Sequence, residues 1–484
     1  MIEPQLPGWQ WDEGRFRELM DQAAAICSDI LRDAAHGPVT RAMPGGLVKE
    51  LATTPAPLAG MDASLVLVDV AEKIAPYPFG NGHPRFFAWV NSPPHPVGVA
   101  AAAVAAALNP SVAGGRHSAV HVEHEVIRWF LELLGWSRPA SHGLLTSGGS
   151  AATLTALSAA RHRAYAREGL DDRLDGTAGA RPVVYATSAA HSCIVKAVEA
   201  LGLGSRNIRT VPVDKHDRLR PQDLEAMLVE DQESGRLPVA VIASVGTVNT
   251  GAMDPVGEIA SICEEHGTWL HVDGAYGGPA VLLLPELTDV RDQLSHVDSI
   301  ALDPHKWLYA PVDVGVVMFR DAQIVRDTFS LVPPYLQTQP SPDEPVWLSE
   351  YGLEQTRPFR ALKLWAQLRH IGLDGYRNLI GRDIEVARAL RDALDAAPDF
   401  EVLAHGLSIV CFRHRPSDIP DSSLDEHHRR LAAGLQTGGE AFIAPTTVDS
   451  VTALRACVVN PHTTVTDAIA LLDIIRVQAR RPAS

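Results

Sequence analysis

The chain has 484 residues, 46% of them hydrophobic and 21% charged, and carries a formal net charge of −16. That length predicts two or three domains rather than one core, with the composition of a globular soluble protein. The acidic balance argues against a nucleic-acid or anionic-membrane surface, because both need clustered Lys and Arg.

The opening Met1-Ile2-Glu3-Pro4 shows no basic region followed by an apolar stretch, so no export signal is expected. Phe16, Leu19, Met20, Ala23, Cys27 and Ile30 recur at helical spacing and predict a helix broken before Pro38. Pro55 to Gly60 reads as a loop and Leu65 to Ile74 as a short helix. Residues 1–82 thus form a helical arm with too little apolar surface to fold alone, expected to pack on another subunit or on the main body. Val97 to Leu108 is mostly alanine, too short for the ~20 residues that span a bilayer, and reads as a buried helix.

From 83 to 371, short apolar strands alternate with amphipathic helices. Strands are expected at Gly143–Thr146, Pro182–Ala186, Val239–Ser244, Trp269–Val272 and Ser299–Leu302, with helices at Ala151–Ala166, after His191 and at Pro255–His266. Unbroken apolar strands between helices indicate an α/β fold whose largely parallel sheet is buried on both faces. From 372 to 484 the pattern becomes that of a small α+β domain on an antiparallel sheet: a long helix Gly381–Ala396, strands at Leu407–Arg413, Ala441–Ala444 and Thr452–Val459, a polar helix near Asp425–Gln436 and a closing helix. The five cysteines show no C-x-x-C spacing, which fits reduced thiols in a cytoplasm.

The chemistry is carried by residues just past strand ends. Lys306, in Asp303-Pro304-His305-Lys306-Trp307, can hold the aldehyde of pyridoxal 5′-phosphate (PLP) as a Schiff base. Burial is expected to lower its pKa and favour the free amine. Asp273, in His271-Val272-Asp273-Gly274-Ala275-Tyr276, can keep the pyridine nitrogen protonated; the plainer reading is an Asx turn before Gly274. Ala275 is small enough to lie under a flat ring, and His271 reads as a strand-packing residue. Ser147-Gly148-Gly149-Ser150 joins a strand to a helix N-terminus, where glycine amides and a hydroxyl suit a phosphate; without Asp273 and Lys306 it would be only a turn. His191 could stack on the ring and move protons, or simply cap a helix. Thr247 follows a strand and could reach the cofactor or the substrate carboxylate, while Asp254 reads as a cap for the helix at Pro255. His117, His121 and His124 share a helical face, but no accompanying motif supports a metal, and none is expected.

With these motifs in hand, the chain resembles the group II PLP-dependent decarboxylases, the family of aromatic amino-acid and glutamate decarboxylases. The resemblance runs from His83-Pro84-Arg85-Phe86-Phe87 to the C-terminus and includes Thr146 to Leu154, His191, Asp273 to Tyr276, Pro304 to Trp307 and Arg357-Pro358-Phe359-Arg360-Ala361-Leu362-Lys363. It implies the fold-type I architecture, with a mostly parallel seven-stranded sheet, a small C-terminal domain and a homodimer whose active sites lie between subunits. It further implies Lys306 as the Schiff-base lysine, Asp273 as the pyridinium partner, His191 stacked on the ring, Gly149 and Ser150 on the phosphate, and Thr247 and His305 beside the cofactor. Ser92, Trp89 and Thr356 fall near the substrate, and Tyr335 resembles the catalytic tyrosine of a mobile loop that favours amine over aldehyde. The segment Gly115 to Glu123 departs from the family pattern, so aromatic specificity does not carry over directly, and Arg116 and His117 also suit an acidic substrate. The implied activity is α-decarboxylation of an L-amino acid, with aromatic substrates favoured. The rivals are oxidative deamination to an aldehyde, a PLP carbon–carbon lyase and a non-catalytic PLP-binding protein.

Overall fold

The computed structural model describes residues 12–136, 139–177, 179–331 and 345–481. Its centre is a seven-stranded sheet: β1 (His142–Thr146), β2 (Pro182–Ala186), β3 (Ile208–Thr210), β4 (Leu237–Ser244), β5 (Trp269–Asp273), β6 (Ser299–Leu302) and β7 (Gly315–Phe319), in the order β1-β7-β6-β5-β4-β2-β3. β3, β2, β4, β5 and β6 pair in parallel, and β7 runs antiparallel to both β6 and β1. β4 is apolar and buried along nearly its whole length because helices cover both faces. One of them, Gly149–Arg167, presents Ala152, Ala156, Ala159 and Ala160, whose small side chains let it lie close to the sheet.

The second sheet is antiparallel, β10-β11-β9-β8, built from β8 (Phe400–Gly406), β9 (Ile409–His414), β10 (Ala444–Val448) and β11 (Val451–Cys457). Asp449 and Ser450, both at positive φ, make the tight β10–β11 turn. β3, β7 and β8 were not located from the sequence. The predicted helix at 381 begins twenty residues earlier, since a single helical run spans Ala361–Ala396 with a break at Gly372 (φ 70°, ψ 166°). Its first half packs on the large core, while Val386, Ala387, Leu390 and Leu394 belong to the small one.

One expectation changes. Helix Pro96–Leu108 buries only Gly98 and Ala101, and Val104 and Leu108 are more than half exposed. An alanine run records short side chains but not what covers them. The arm helices Glu13–Asp33, Gly45–Thr53 and Ala63–Asp69 bury no residue, leaving Phe16, Met20, Val48, Leu51 and Leu65 exposed. The arm is tethered to the small domain by Val39 N–H donating to Gly439 O (2.8 Å) and by Thr40 Oγ1 donating to Gln436 O (3.0 Å).

The small domain holds three buried histidines. His428 Nδ1 lies against Leu424 O and its Nε2 accepts from His414 N (2.9 Å); His414 Nδ1 is 3.0 Å from His427 Nε2. Protonating Nε2 of His428 would turn a donor against a donor. Burial pushes both His427 and His428 down to about 4. The folded chain then binds fewer protons than the unfolded chain between about pH 6.5 and 4, so stability is lost as pH falls through that window. The loss is expected to be on the order of a few kcal/mol. Asp399, held low first by its bonds to Arg476, titrates below it. Urea midpoints of the small domain should fall from pH 7 to 4.5, and less steeply in His428→Gln; a flat profile would refute this account.

Candidate active site

Functional side chains gather where the parallel strands end, the edge at which open α/β sheets bind ligands. β1 leads through Ser147 into Gly148, whose φ of 155° and ψ of 179° suit glycine alone, and Gly149 opens the helix. A Cβ on Gly149 would stand 2.9 Å from Asp303 Oδ2 and 3.4 Å from the Ala275 methyl; one on Gly148 would stand 3.1 Å from His305 Cε1. The glycine turn, Ala275 and the Asp303–His305 segment therefore face one another. Ser150 is exposed at this edge.

Asp273 ends β5 between Ser244 of β4 and Ala301 of β6. Its Oδ1 accepts from Ala275 N (3.0 Å), so the Asx turn is present and engages one carboxylate oxygen. Lys306 Nζ lies 2.9 Å from Asp303 Oδ2, with the lysine side chain 23% exposed and Asp303 4%. The expected drop in the lysine pKa is reversed. Burial opposes the ammonium, but Asp303 and then Asp273 outweigh it and the pKa is raised. His305 Nε2 is 3.8 Å from Asp303 Oδ2, its Nδ1 accepts from Val314 N (3.3 Å), and Ser92 Oγ donates to its carbonyl (3.3 Å). His191 is exposed in this chain. Its Nδ1 accepts from Cys193 N (3.2 Å), which assigns the neutral ring's proton to Nε2. Desolvation lowers its pKa, opposed by Asp273.

The other predicted residues have the following surroundings. Thr247 is buried, with Oγ1 3.1 Å from Thr250 Oγ1 and accepting from Ala252 N, so it braces its own loop. Trp89 stacks on Phe79 (5.4 Å) near Phe86 and Phe442, and Thr356 is exposed. Tyr335 lies outside the described residues. Asp254 does not cap its helix. Its two oxygens accept from Leu219 N and Ser244 N (both 2.7 Å), tying the end of β4 to a neighbouring loop, and burial pushes its pKa up to about 6. His271 is fully buried against Ser299, as a packing residue. His124 Nε2 meets Val346 O, and the described residues contain no His, Cys, Asp or Glu group arranged to hold a metal.

Three groups in the site had no assigned role. Asp303 was visible only as part of the lysine motif. Asp383, on the helix Ala361–Ala396, accepts from both Trp307 Nε1 (2.9 Å) and Tyr309 Oη (2.7 Å). Ser408 meets the hydroxyl of Tyr276 (2.7 Å), whose ring stacks on Trp307 at 4.9 Å. Cavities of 460 and 200 Å³ lie elsewhere and contain none of these residues.

The set fits PLP: an amine to take the aldehyde, a carboxylate at the end of the adjacent strand, and a glycine turn packed too closely on Asp303 and His305 for side chains, which leaves its backbone to meet a phosphate. One atom has no counterpart in that set: Asp303 Oδ1, buried without a hydrogen-bond partner among the described residues.

Residues 44–415 match the model of the pyridoxal-dependent decarboxylase conserved domain. The chain is 31% identical to an aromatic-L-amino-acid decarboxylase of Bacillus atrophaeus, over 96% of this chain and 95% of that one. It is 27% identical to a phenylacetaldehyde synthase of Petunia hybrida, covering 93% and 92%. Among solved structures, Oryza sativa TDC with PLP and tryptamine superposes with a TM-score of 0.89 at 28% identity, covering 99% of each chain. The chain belongs to the pyridoxal-dependent decarboxylase family.

Proposed function

We propose that the protein removes the α-carboxylate of an L-amino acid, aromatic amino acids being favoured, and releases CO2 and the amine. What supports this reading is Asp273 at the end of β5 and Lys306 just past the end of the adjacent parallel β6, with the Gly148–Gly149 turn facing their neighbours Ala275, Asp303 and His305. Bound PLP supplies the sink for the electron pair left as CO2 departs. Lys306 would hold the cofactor aldehyde and Asp273 would keep the ring nitrogen protonated. Gly149 and Ser150 would hold the phosphate, and His191, Ala275, Thr247 and His305 would line the cofactor site. Ser92, Trp89 and Thr356 are assigned to the substrate side, and Tyr335 to proton delivery at the substrate carbon.

The same reading gives the bare arm face a second copy of this chain as its cover, in a homodimer with sites at the subunit interface. A cytoplasmic location belongs to it as well. No helix among the described residues is long and apolar enough to cross a membrane.

The test is a panel of aromatic, acidic, basic and aliphatic L-amino acids, with CO2, amine, aldehyde and peroxide measured in one incubation. CO2 and amine in equal amounts support the proposal. Aldehyde with peroxide favours oxidative deamination, and no turnover by a cofactor-loaded protein would leave a binding role.

A further inference from the structure

Lys306 stands on a piece of chain that cannot hold its own shape. The helix Pro304–Trp307 is a single turn of four residues, too short to persist without outside support. Three residues past the lysine, Tyr309 sits at φ 54°, a left-handed conformation that side chains other than glycine rarely adopt. The backbone bonds beyond the lysine are long: Tyr309 N–H reaches Lys306 O at 3.3 Å, and Ala310 N–H reaches Pro304 O at 3.2 Å.

Support comes from the helix Ala361–Ala396. Asp383 Oδ2 accepts from both Trp307 Nε1 (2.9 Å) and Tyr309 Oη (2.7 Å), so one oxygen gathers side chains from either side of Leu308. Asp383, Trp307 and Tyr309 are 1%, 0% and 2% exposed, which denies water a share in either bond. The indole also lies against the ring of Tyr276 at 4.9 Å and 13°, three residues past Asp273. Burial pushes the Asp383 carboxyl up to about 7, opposed by its two bonds and by Arg382. The folded chain holds that proton more tightly than the unfolded chain, so its stabilising effect is lost as pH rises from about 4 to about 7. As an ion Asp383 serves the fold poorly. What it gives the segment is an acceptor oxygen in a fixed place.

We propose that Asp383 is a positioning residue for the cofactor lysine: by holding Trp307 and Tyr309 on one oxygen it fixes the backbone that carries Lys306, and with it the approach of the amine to the cofactor aldehyde. This rests on the PLP reading of the site and goes beyond it. Asp383 acts through its neighbours, and no proton or covalent bond changes hands there. A purely structural role would lower the melting midpoint and leave each cofactor-loaded molecule as fast as wild type.

The test compares wild type with Asp383→Leu, Asp383→Asn and Tyr309→Phe. Asp383→Leu keeps the branched shape without an acceptor, Asp383→Asn keeps an acceptor without the charge, and Tyr309→Phe removes one donor. The measurements are the rate at which added PLP gives a lysine-linked absorbance band in cofactor-free protein, and kcat and KM per cofactor-loaded chain. Asp383→Leu should slow both the band and kcat by about ten- to a hundredfold, the loss that a misplacement of about 1 Å brings. KM should stay within about twofold of wild type. Asp383→Asn, whose amide oxygen can accept both bonds, should stay within about threefold of wild type throughout. Tyr309→Phe should fall between Asp383→Leu and wild type. A wild-type rate of band formation in Asp383→Leu overturns the proposal; where that variant does not fold, the same rate in Tyr309→Phe overturns it. Asp383→Asn as slow as Asp383→Leu overturns it too, because the charge would then matter and not the acceptor. If wild type itself forms no band with PLP, the reading of the site fails and this proposal with it. A band in wild type upholds that reading whatever the variants do.

Discussion

Lys306→Ala is expected to lower turnover by at least roughly a thousandfold while the protein still folds. The loss combines the covalent anchor for the cofactor with a positioned amine, and acid–base assistance alone contributes about 10²–10⁴. The lysine side chain is partly exposed, and its neighbours Trp307 and Tyr309 are fixed independently through Asp383, so the local fold does not depend on it. The substitution does strand Asp303, so the melting midpoint should also drop. Adding Asp303→Asn to the same chain should restore the midpoint without restoring activity. Substrate-driven CO2 release and the absorbance of bound cofactor are the measurements. Wild-type CO2 release by Lys306→Ala would sink the assignment of the site.

Arg357→Ala should be the most destabilising single change in the large domain, at about 3–5 kcal/mol, the range for breaking a buried ion pair from one side. Arg357 and Glu123 are 1% and 0% exposed and meet at 2.6 Å. The guanidinium also donates to Leu145 O (2.6 Å) and Val112 O (3.0 Å), and Glu123 accepts from Leu145 N (3.1 Å). Removing the arginine leaves a buried carboxylate and two carbonyls beside β1, the strand that feeds the glycine turn. A double change, Glu123→Gln with Arg357→Met, removes the uncompensated charge but not the carbonyl deficit, so it should recover only part of the loss. Thermal unfolding of the three proteins measures this, and an unshifted midpoint for Arg357→Ala would contradict it.

Much of the site was legible because it is local. The lysine and aspartate motifs each follow an apolar strand within a few residues, so alternation of strands and helices was enough to bring them to one sheet edge. β7 stayed hidden because a five-residue apolar run gives no sign that it reverses direction between β1 and β6. Asp254 looked like a cap because Pro255 follows it. Its side chain turns instead to amides of Leu219 and Ser244, which only the folded sheet brings near. Asp383 and Ser408 carry no local signature, since their partners Trp307, Tyr309 and Tyr276 are 74 to 132 positions away. Burial alone predicts a lowered lysine pKa; Asp303, three residues back, is folded onto the amine and reverses it.

The helix Ala361–Ala396 has a consequence for how the molecule works as a whole. Beyond the break at Gly372, Tyr376 and Asp383 grip Leu308, Trp307 and Tyr309, and a few residues later the same helix is embedded in the C-terminal core. The segment that carries Lys306 and the smaller lobe are thus fixed to one shared helix. A tilt of that lobe is expected to carry the backbone beside Lys306 with it, through the bonds of Asp383 to Trp307 and Tyr309.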